Sequence, residues 1–553
     1  MCNGMNALSS TLPSSYRPIS LLNVDIKIIT KALSHQLEKI IPSIIHPDQT
    51  GFTKGRNSSN NTRRLFNIMH HSTTHNHNSI IATLDAEKAF DRVNWSFLIH
   101  TLHSFGFGES FINWIKTLYT SPTATVITNG QTSQSFTLHR GTRQGCPLSP
   151  SLFTIFIEPL AAAIRQNPLI TGIQTPNMHH KISLYADDIL LFMDNPKSSL
   201  QEVISVIKSF SLLSDYSINW NKSSILPLNT NSLAVAALTT PIPFCTSHIT
   251  YLGIHISPRL SELINLNFTP LLKKINDDLQ RWMNLPLSIL GRIATVKMTI
   301  LPKISYLCSM IPTHPPLTWF HSLDSSINKF YWKNKPPRVK LATLQKSKSL
   351  GGLNAPNFHH YSLANQLQYI YKWTHPTQSD STWLDIEQTV SKDIHLSDLP
   401  FLSQTIKKHP CFQNPTISSA LTAWWKFYSI TNSTLAPSLF TPIWHNLDFI
   451  SNKQSLYFST WVEKGITHLK HIFNNNTLVP FSLLVQKFGI RSHQFLQYLQ
   501  VSSSIQSSMK NKNINLDLPP LPSKLINIPS SKKILSKLYK LLSQADSTPS
   551  IPS

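Results

Sequence analysis

At 553 residues, 41% of them hydrophobic, the chain is long enough for several cores, because single cores stop growing near about 250–300 residues. Lysine and arginine number 49 against 26 aspartate and glutamate, a net charge of +23 with a pI near 9.7, which suits a polyanionic partner. No apolar run reaches the roughly 18 residues of a membrane span, and Met1-Cys2-Asn3-Gly4 lacks the charged and apolar regions of a signal peptide.

In chain order, His70, His71, His75 and His77 crowd a polar Ser/Thr/Asn segment. A solvated loop is expected there rather than zinc, which needs four convergent ligands on a framework. Ile80-Ile81-Ala82-Thr83-Leu84 reads as a buried strand with Asp85 at its C-terminal end. The segment Ala86 to Asn94 leads into a helix, in which Trp95, Leu98, Ile99, Leu102 and Phe105 recur at 3.6-residue spacing. Arg140 to Pro150 holds two glycines and two prolines, a shaped loop, and Ser149-Pro150 opens a helix with Leu152, Phe153, Phe156, Ile157 and Leu160 on its apolar face. Backbone near Gly145 has room to approach a nucleotide, and a plain structural turn is the alternative. Ile182 to Tyr185 and Ile189 to Phe192 are β-type runs on either side of Ala186-Asp187-Asp188, an acidic hairpin tip.

Further on, Leu271, Leu272, Ile275, Leu279 and Trp282 form a helical stripe interspersed with Lys273, Lys274 and Arg281. Trp332 to Lys340 mixes aromatic and basic residues, either a nucleic-acid groove or an exposed basic loop. From about Ser502 the composition reads as a partly disordered tail, although Lys532 to Leu542 keeps an amphipathic helical pattern. Cys2, Cys146, Cys245, Cys308 and Cys411 are odd in number and scattered without a CxxC pair. That argues against a disulfide framework and for a reduced intracellular compartment, nuclear or cytoplasmic.

The chemistry concentrates in the acids. Adjacent carboxylates repel one another unless a cation joins them, and hard oxygen ligands suit Mg²⁺. Asp85 stands roughly a hundred residues before Asp187 and Asp188, so only a fold laying its strand beside the hairpin joins the three. Three converging carboxylates are able to hold two Mg²⁺ ions for in-line displacement at phosphorus.

Three segments carry a family resemblance: Leu84-Asp85-Ala86-Glu87-Lys88-Ala89-Phe90-Asp91, Gly141-Thr142-Arg143-Gln144-Gly145-Cys146-Pro147-Leu148-Ser149-Pro150 and Tyr185-Ala186-Asp187-Asp188. They resemble motifs A, B and C of a reverse transcriptase, of the kind carried by vertebrate long interspersed elements, the non-LTR retrotransposons. Tyr16-Arg17-Pro18-Ile19-Ser20-Leu21-Leu22 and Gln49-Thr50-Gly51-Phe52 through Gly55-Arg56 resemble the fingers segments of that family. Ser217 to Ser223 resembles motif D, Tyr251-Leu252-Gly253-Ile254 motif E, and Gly291-Arg292, Leu301-Pro302-Lys303 and Gly351-Gly352-Leu353 the thumb region.

The resemblance implies an α+β right hand followed by a mostly helical extension. Partial fingers take residues 1–79, a palm with an antiparallel sheet 80–258, a helical thumb 259–345, the extension 346–501 and a basic tail 502–553. It implies an RNA-directed DNA polymerase acting on an RNA template, a DNA primer and deoxynucleoside triphosphates, with two Mg²⁺ ions held by Asp85, Asp187 and Asp188. Arg17, Ala86, Phe90, Gln144 and Gly145 then bind the nucleotide, with Phe90 as the steric gate beneath the sugar. Lys222 is the proton donor to the leaving group, and Tyr251, Leu252 and Gly253 press on the primer end. Two departures accompany the match. Only 15 residues precede Tyr16, where the family carries a nuclease and further fingers, and no cysteine/histidine knuckle follows. A truncated copy is therefore expected. Its alternative reading is a catalytically impaired nucleic-acid-binding remnant; a maturase-like role has no feature in its favour.

Overall fold

The computed structural model describes residues 19–229, 240–431, 435, 437–474, 477–509 and 533–545. The chain divides into two compact units, one of residues 1–61 and 72–258, the other of residues 62–71 and 259–553.

The first unit is built on a four-stranded antiparallel sheet. Its strands are β1 (Ser79–Ala86), β2 (Ile182–Tyr185), β3 (Asp188–Asp194) and β4 (Ile218–Pro227), in the order β4-β1-β3-β2. The pairings Ile80↔Met193, Ala82↔Leu191 and Leu84↔Ile189 set one apolar face, since side chains alternate along a strand. That face joins a single core with Ile182, Leu184 and Ile225 and with Leu152, Phe153 and Phe156 of a long helix.

Among the described residues this part of the chain forms the helices α1 (Val24–Ile44), α2 (Ser58–Thr74), α3 (Trp95–Ser104), α4 (Glu109–Leu118), α5 (Ser149–Gln166) and α6 (Pro196–Ser214). Residues 62–71 of α2 are counted with the second unit. Asn94 caps α3 by accepting from the Phe97 N–H at 3.0 Å, satisfying one of the orphan amides of its first turn. Proline in the first turn of α5 lacks only a donor that would be free there anyway. On α1, Leu33, Leu37 and Ile41 are buried at four-residue spacing. His70 and His71 lie in the last turns of α2, so the histidine-rich segment expected as a loop is in part helix.

In the second unit, helix Thr269–Trp282 follows the predicted stripe, but only Ile275, Asp278 and Leu279 of it are buried. Helix Ile289–Thr295 continues through a wide π-type turn, Val296–Ile300, into helix Leu301–Met310. Trp332 to Lys340 is mostly exposed. The extension holds more than one core: one, rich in aromatic residues, gathers Trp383, Trp424 and Phe427, and another gathers Trp444, Trp461 and Ile505 with the short strand pairs Ile450–Ser451 with Gln454–Ser455 and Phe473–Asn474 with Thr477–Leu478. Two helices fall within the expected tail. Helix Phe495–Met509 runs through its first residues, and helix Ile534–Ala545 buries Leu538 and Leu542 in the first of these cores. The helix follows the amphipathic pattern read over Lys532 to Leu542, and its apolar stripe supplies the buried residues. Residues 510–532 and 546–553 lie outside the described residues. No described helix is long and apolar enough to cross a membrane.

Candidate active site

Antiparallel registry brings the acids together. Leu84 pairs with Ile189 and Tyr185 with Asp188, so the end of β1 lies beside the tip of the β2–β3 hairpin. The β1–β4 pairing shifts register between Thr83 and Asp85, a local bulge of the kind that re-aims a side chain next to an active site. The Asp85 N–H donates to Ser223 Oγ at 3.2 Å, and that hydroxyl donates to the Asn219 carbonyl at 2.8 Å, which ties the bulge to β4.

Behind the acids stands Tyr216, fully buried, its hydroxyl without a hydrogen-bond partner among the described residues. Burial pushes its phenol well above the ordinary tyrosine range, and the charges of Asp187, Asp85 and Asp188 push it further. The strand register carries the convergence of the three carboxylates, and their charges all act on this one phenol. Asp85 and Asp187 are half-buried and Asp188 is exposed, so the cluster opens to solvent. Its donors are all carboxylate oxygens, which fits Mg²⁺ and not a soft metal.

The loop of residues 140–148 packs against the short 3₁₀ turn Ala89–Arg92 that follows Asp85. Thr142 N–H donates to the Phe90 carbonyl at 2.7 Å and Gly141 N–H to that of Val93 at 2.8 Å. Gln144 Nε2 reaches Asp91 Oδ1 at 3.3 Å, and the Gln144 carbonyl accepts from Ser20 N–H at 2.9 Å. Gly145 is exposed at φ 103°, where an added Cβ would stand 3.1 Å from the Ser20 carbonyl oxygen. Phe90 stacks on Phe153 at 4.6 Å and meets Phe52 edge-on at 6.0 Å, a half-buried ring between core and surface. Ala86 is half-buried at the end of β1, paired with Ile218.

The other predicted residues divide. Tyr251, Leu252 and Gly253 form a tight hairpin whose two central residues have φ 49° and 72°, the backbone of a two-residue primed turn. Tyr251 is buried, and its hydroxyl accepts from Asn61 Nδ2 at 3.1 Å; the same amide donates to the Leu184 carbonyl at 2.9 Å. Lys222 is exposed on β4, one position before the serine that binds the Asp85 amide. Arg17 lies outside the described residues.

Sequence reasoning missed Tyr216, Asn61 and the role of Gln49. Tyr216 reads as an ordinary apolar position before β4, and only the folded sheet sets it beside the acids. Gln49 stood inside a noted family segment, but its contact with the hairpin joins residues far apart in sequence.

An antiparallel sheet with acids at the end of one strand and the tip of the neighbouring hairpin, packed on long helices, is the palm of a right-hand polymerase. Residues 6–256 match the family model described as reverse transcriptase (RNA-dependent DNA polymerase). Over that stretch the chain is similar to reverse transcriptase domains, and the relatives it matches are proteins of non-LTR retrotransposons. The transposon TX1 149 kDa protein of Xenopus laevis is 31% identical over 329 residues, covering 59% of this chain and 25% of that protein. The Pol polyprotein of the type-2 retrotransposable element R2DM of Drosophila melanogaster is 24% identical over 403 residues, covering 70% of this chain and 37% of that one. The chain thus spans between a quarter and two fifths of the length of these relatives. Among solved structures, telomerase from Candida tropicalis with a telomeric RNA fragment superposes with a TM-score of 0.35 at 13% identity, covering 66% of this chain and 56% of that one. A likeness that low does not carry the fold assignment, which rests on the sheet and the family match.

Proposed function

We propose that this chain is an RNA-directed DNA polymerase, extending a DNA primer on an RNA template with deoxynucleoside triphosphates. The observation that carries the reading is the convergence of Asp85, Asp187 and Asp188 about Tyr216 at the open end of the sheet. In this reading Asp85, Asp187 and Asp188 hold two Mg²⁺ ions. When bound, such ions supply Lewis-acid chemistry, acidifying the primer hydroxyl and neutralising charge on the triphosphate.

The rest falls to the chain's own side chains. Phe90, backed by Phe153, presents a ring that excludes a 2′-hydroxyl. Ala86, Gln144 and Gly145 line the nucleotide pocket, Gln144 with its amide fixed by Asp91. The Tyr251-Leu252-Gly253 hairpin steadies the primer end, and its tie through Asn61 to Leu184 supports a rigid distance from primer to acids. Lys222, exposed on β4, gives a proton to departing pyrophosphate, and Arg17 meets the triphosphate. The template is gripped through its phosphates and shape, consistent with a charge of +23. Fingers, palm and thumb occupy residues 1–79, 80–258 and 259–345, and the protein works inside the cell.

Primer extension on an RNA template with Mg²⁺ is the test. Extension by the wild type and none by Asp187→Asn supports the reading. Template binding without extension, by both proteins alike, supports an impaired nucleic-acid-binding remnant instead.

A further inference from the structure

The tip of the acidic hairpin is held by a residue with no metal-binding group of its own. Ala186, immediately before Asp187, sits at φ 56°. That left-handed conformation is strained for a non-glycine residue, and such strain persists only where the surroundings over-determine it. The polar part of those surroundings is one carboxamide. Gln49 Oε1 accepts from the Ala186 N–H at 2.9 Å, and Gln49 Nε2 donates to the Ala186 carbonyl at 3.3 Å. Both polar groups of the strained residue are therefore satisfied by a single side chain, itself fully buried.

The glutamine is fixed in turn. Its Oε1 also accepts from the Gly51 N–H at 2.8 Å. Its own carbonyl accepts from Arg56 Nη1 at 2.7 Å, and Arg56 also holds the carbonyls of Pro42, Ile45 and His46 at the end of α1. Thr50 N–H donates to the Leu184 carbonyl at 2.9 Å, so the segment runs alongside the hairpin. Gly51 passes so close that an added Cβ would overlap the Ala186 nitrogen. No other residue fits that approach.

We propose that Gln49 is a positioning residue, which locks the Ala186 peptide so that the Asp187 carboxylate is aimed at the metal before any nucleotide arrives. The inference rests on the metal-holding role proposed above for Asp187. Partners behind a ligand commonly set its orientation, and their loss costs roughly 10- to 100-fold in metal affinity. Glutamate at this position keeps the acceptor for the Ala186 and Gly51 amides but sets a carboxylate oxygen against the Ala186 carbonyl. It should be impaired, though less than alanine.

The experiment titrates the full chain with Mn²⁺ followed by electron paramagnetic resonance, alongside thermal melts, for wild type, Gln49→Ala, Gln49→Glu, Asp187→Asn and Leu102→Ala. Leu102 is a buried core residue of the same unit, on helix α3, so it reports what lost stability alone does. The expected result is Mn²⁺ affinity per folded molecule lowered roughly 10- to 100-fold in Gln49→Ala, less in Gln49→Glu, and unchanged in Leu102→Ala. Affinity within about twofold of wild type in both Gln49 variants, with Asp187→Asn impaired, overturns the positioning role and leaves the metal reading standing. Unimpaired binding in Asp187→Asn overturns the metal reading itself. Should neither Gln49 variant fold, Gln49 is a folding residue and the proposal fails.

Discussion

The acids at the hairpin tip and the acid in the core of the second unit live under opposite rules. Asp85, Asp187 and Asp188 are crowded, half-exposed or exposed, with a buried phenol behind them. Glu387 is fully buried, both of its oxygens are hydrogen-bonded, and Arg63 Nε lies 2.7 Å from Oε1. Oε1 accepts from Asn67 Nδ2 at 2.9 Å and Thr416 Oγ1 at 2.8 Å; Oε2 accepts from Arg63 Nη2 at 3.0 Å and Trp373 Nε1 at 2.8 Å. The Arg63 guanidinium lies 3.7 Å from the Tyr369 ring centre and 4.8 Å from that of Trp383. A buried charge persists only when paired and hydrogen-bonded. Like charges gathered at a rim cost folding energy for which the fold gains nothing. Glu387 is explained by stability, the trio by chemistry.

Substitutions should separate the two kinds of site. The largest effect is expected from Asp187→Asn: extension falls by a hundredfold or more, equivalent to about 2.7 kcal/mol or more of barrier. Its melting temperature stays level or rises as repulsion is relieved, and RNA affinity, set by distant lysines and arginines, holds. Residual extension within about tenfold of wild type would contradict the assignment.

Glu387→Ala should do the reverse. Leaving Arg63 buried without its carboxylate is expected to cost about 3–5 kcal/mol, read as a lower urea midpoint. Replacing both partners together, as Arg63→Met with Glu387→Leu, should recover much of that loss, because a buried pair is often matched by well-packed apolar residues. A double variant as unstable as Glu387→Ala would mean that the network does more than neutralise a charge.

Phe90 tests a residue with a foot in each camp. Phe90→Val should raise ribonucleotide over deoxynucleotide incorporation by about tenfold, or some 1.4 kcal/mol of discrimination. If the ring only fills core against Phe153, both rates and the melting temperature fall while their ratio stays put.

The smallest effect concerns pH. His314 Nε2 donates to the Ser419 carbonyl at 2.9 Å, and burial pulls its pKa down to about 4 despite that bond. The folded histidine thus binds fewer protons than the unfolded one. Its contribution is complete above about pH 6.5 and is lost as pH falls towards 4. His314→Gln keeps a donor for the carbonyl without the titration, so its melting temperature should decline less than that of wild type between pH 6.5 and 4. Parallel declines would remove His314 from the account.

Much of the site was legible before the fold. The alternating apolar runs around Ala186-Asp187-Asp188 and the run before Asp85 became the two central strands and the hairpin, because strand period and turn chemistry are local properties. The helix opened by Ser149-Pro150 buries all five residues of its predicted face. Errors fell where partners decide. The stripe near Leu271 buried less than its pattern promised, and the histidine segment became partly helical, whereas the amphipathic pattern carrying Leu538 and Leu542 formed its helix and entered a core.

Sequence by itself determined which residues are acids, which runs are strands, and that three motifs stand in the order of a reverse transcriptase. Tertiary structure alone decided that a bulge precedes Asp85, that Tyr216 lies behind the trio, and that Gln49 holds Ala186 from more than a hundred residues away. The division has a physical cause. Periodicity and capping act within a turn or two of chain, whereas the direction in which a carboxylate points is set by hydrogen bonds between segments that only folding brings within 3 Å or so of each other.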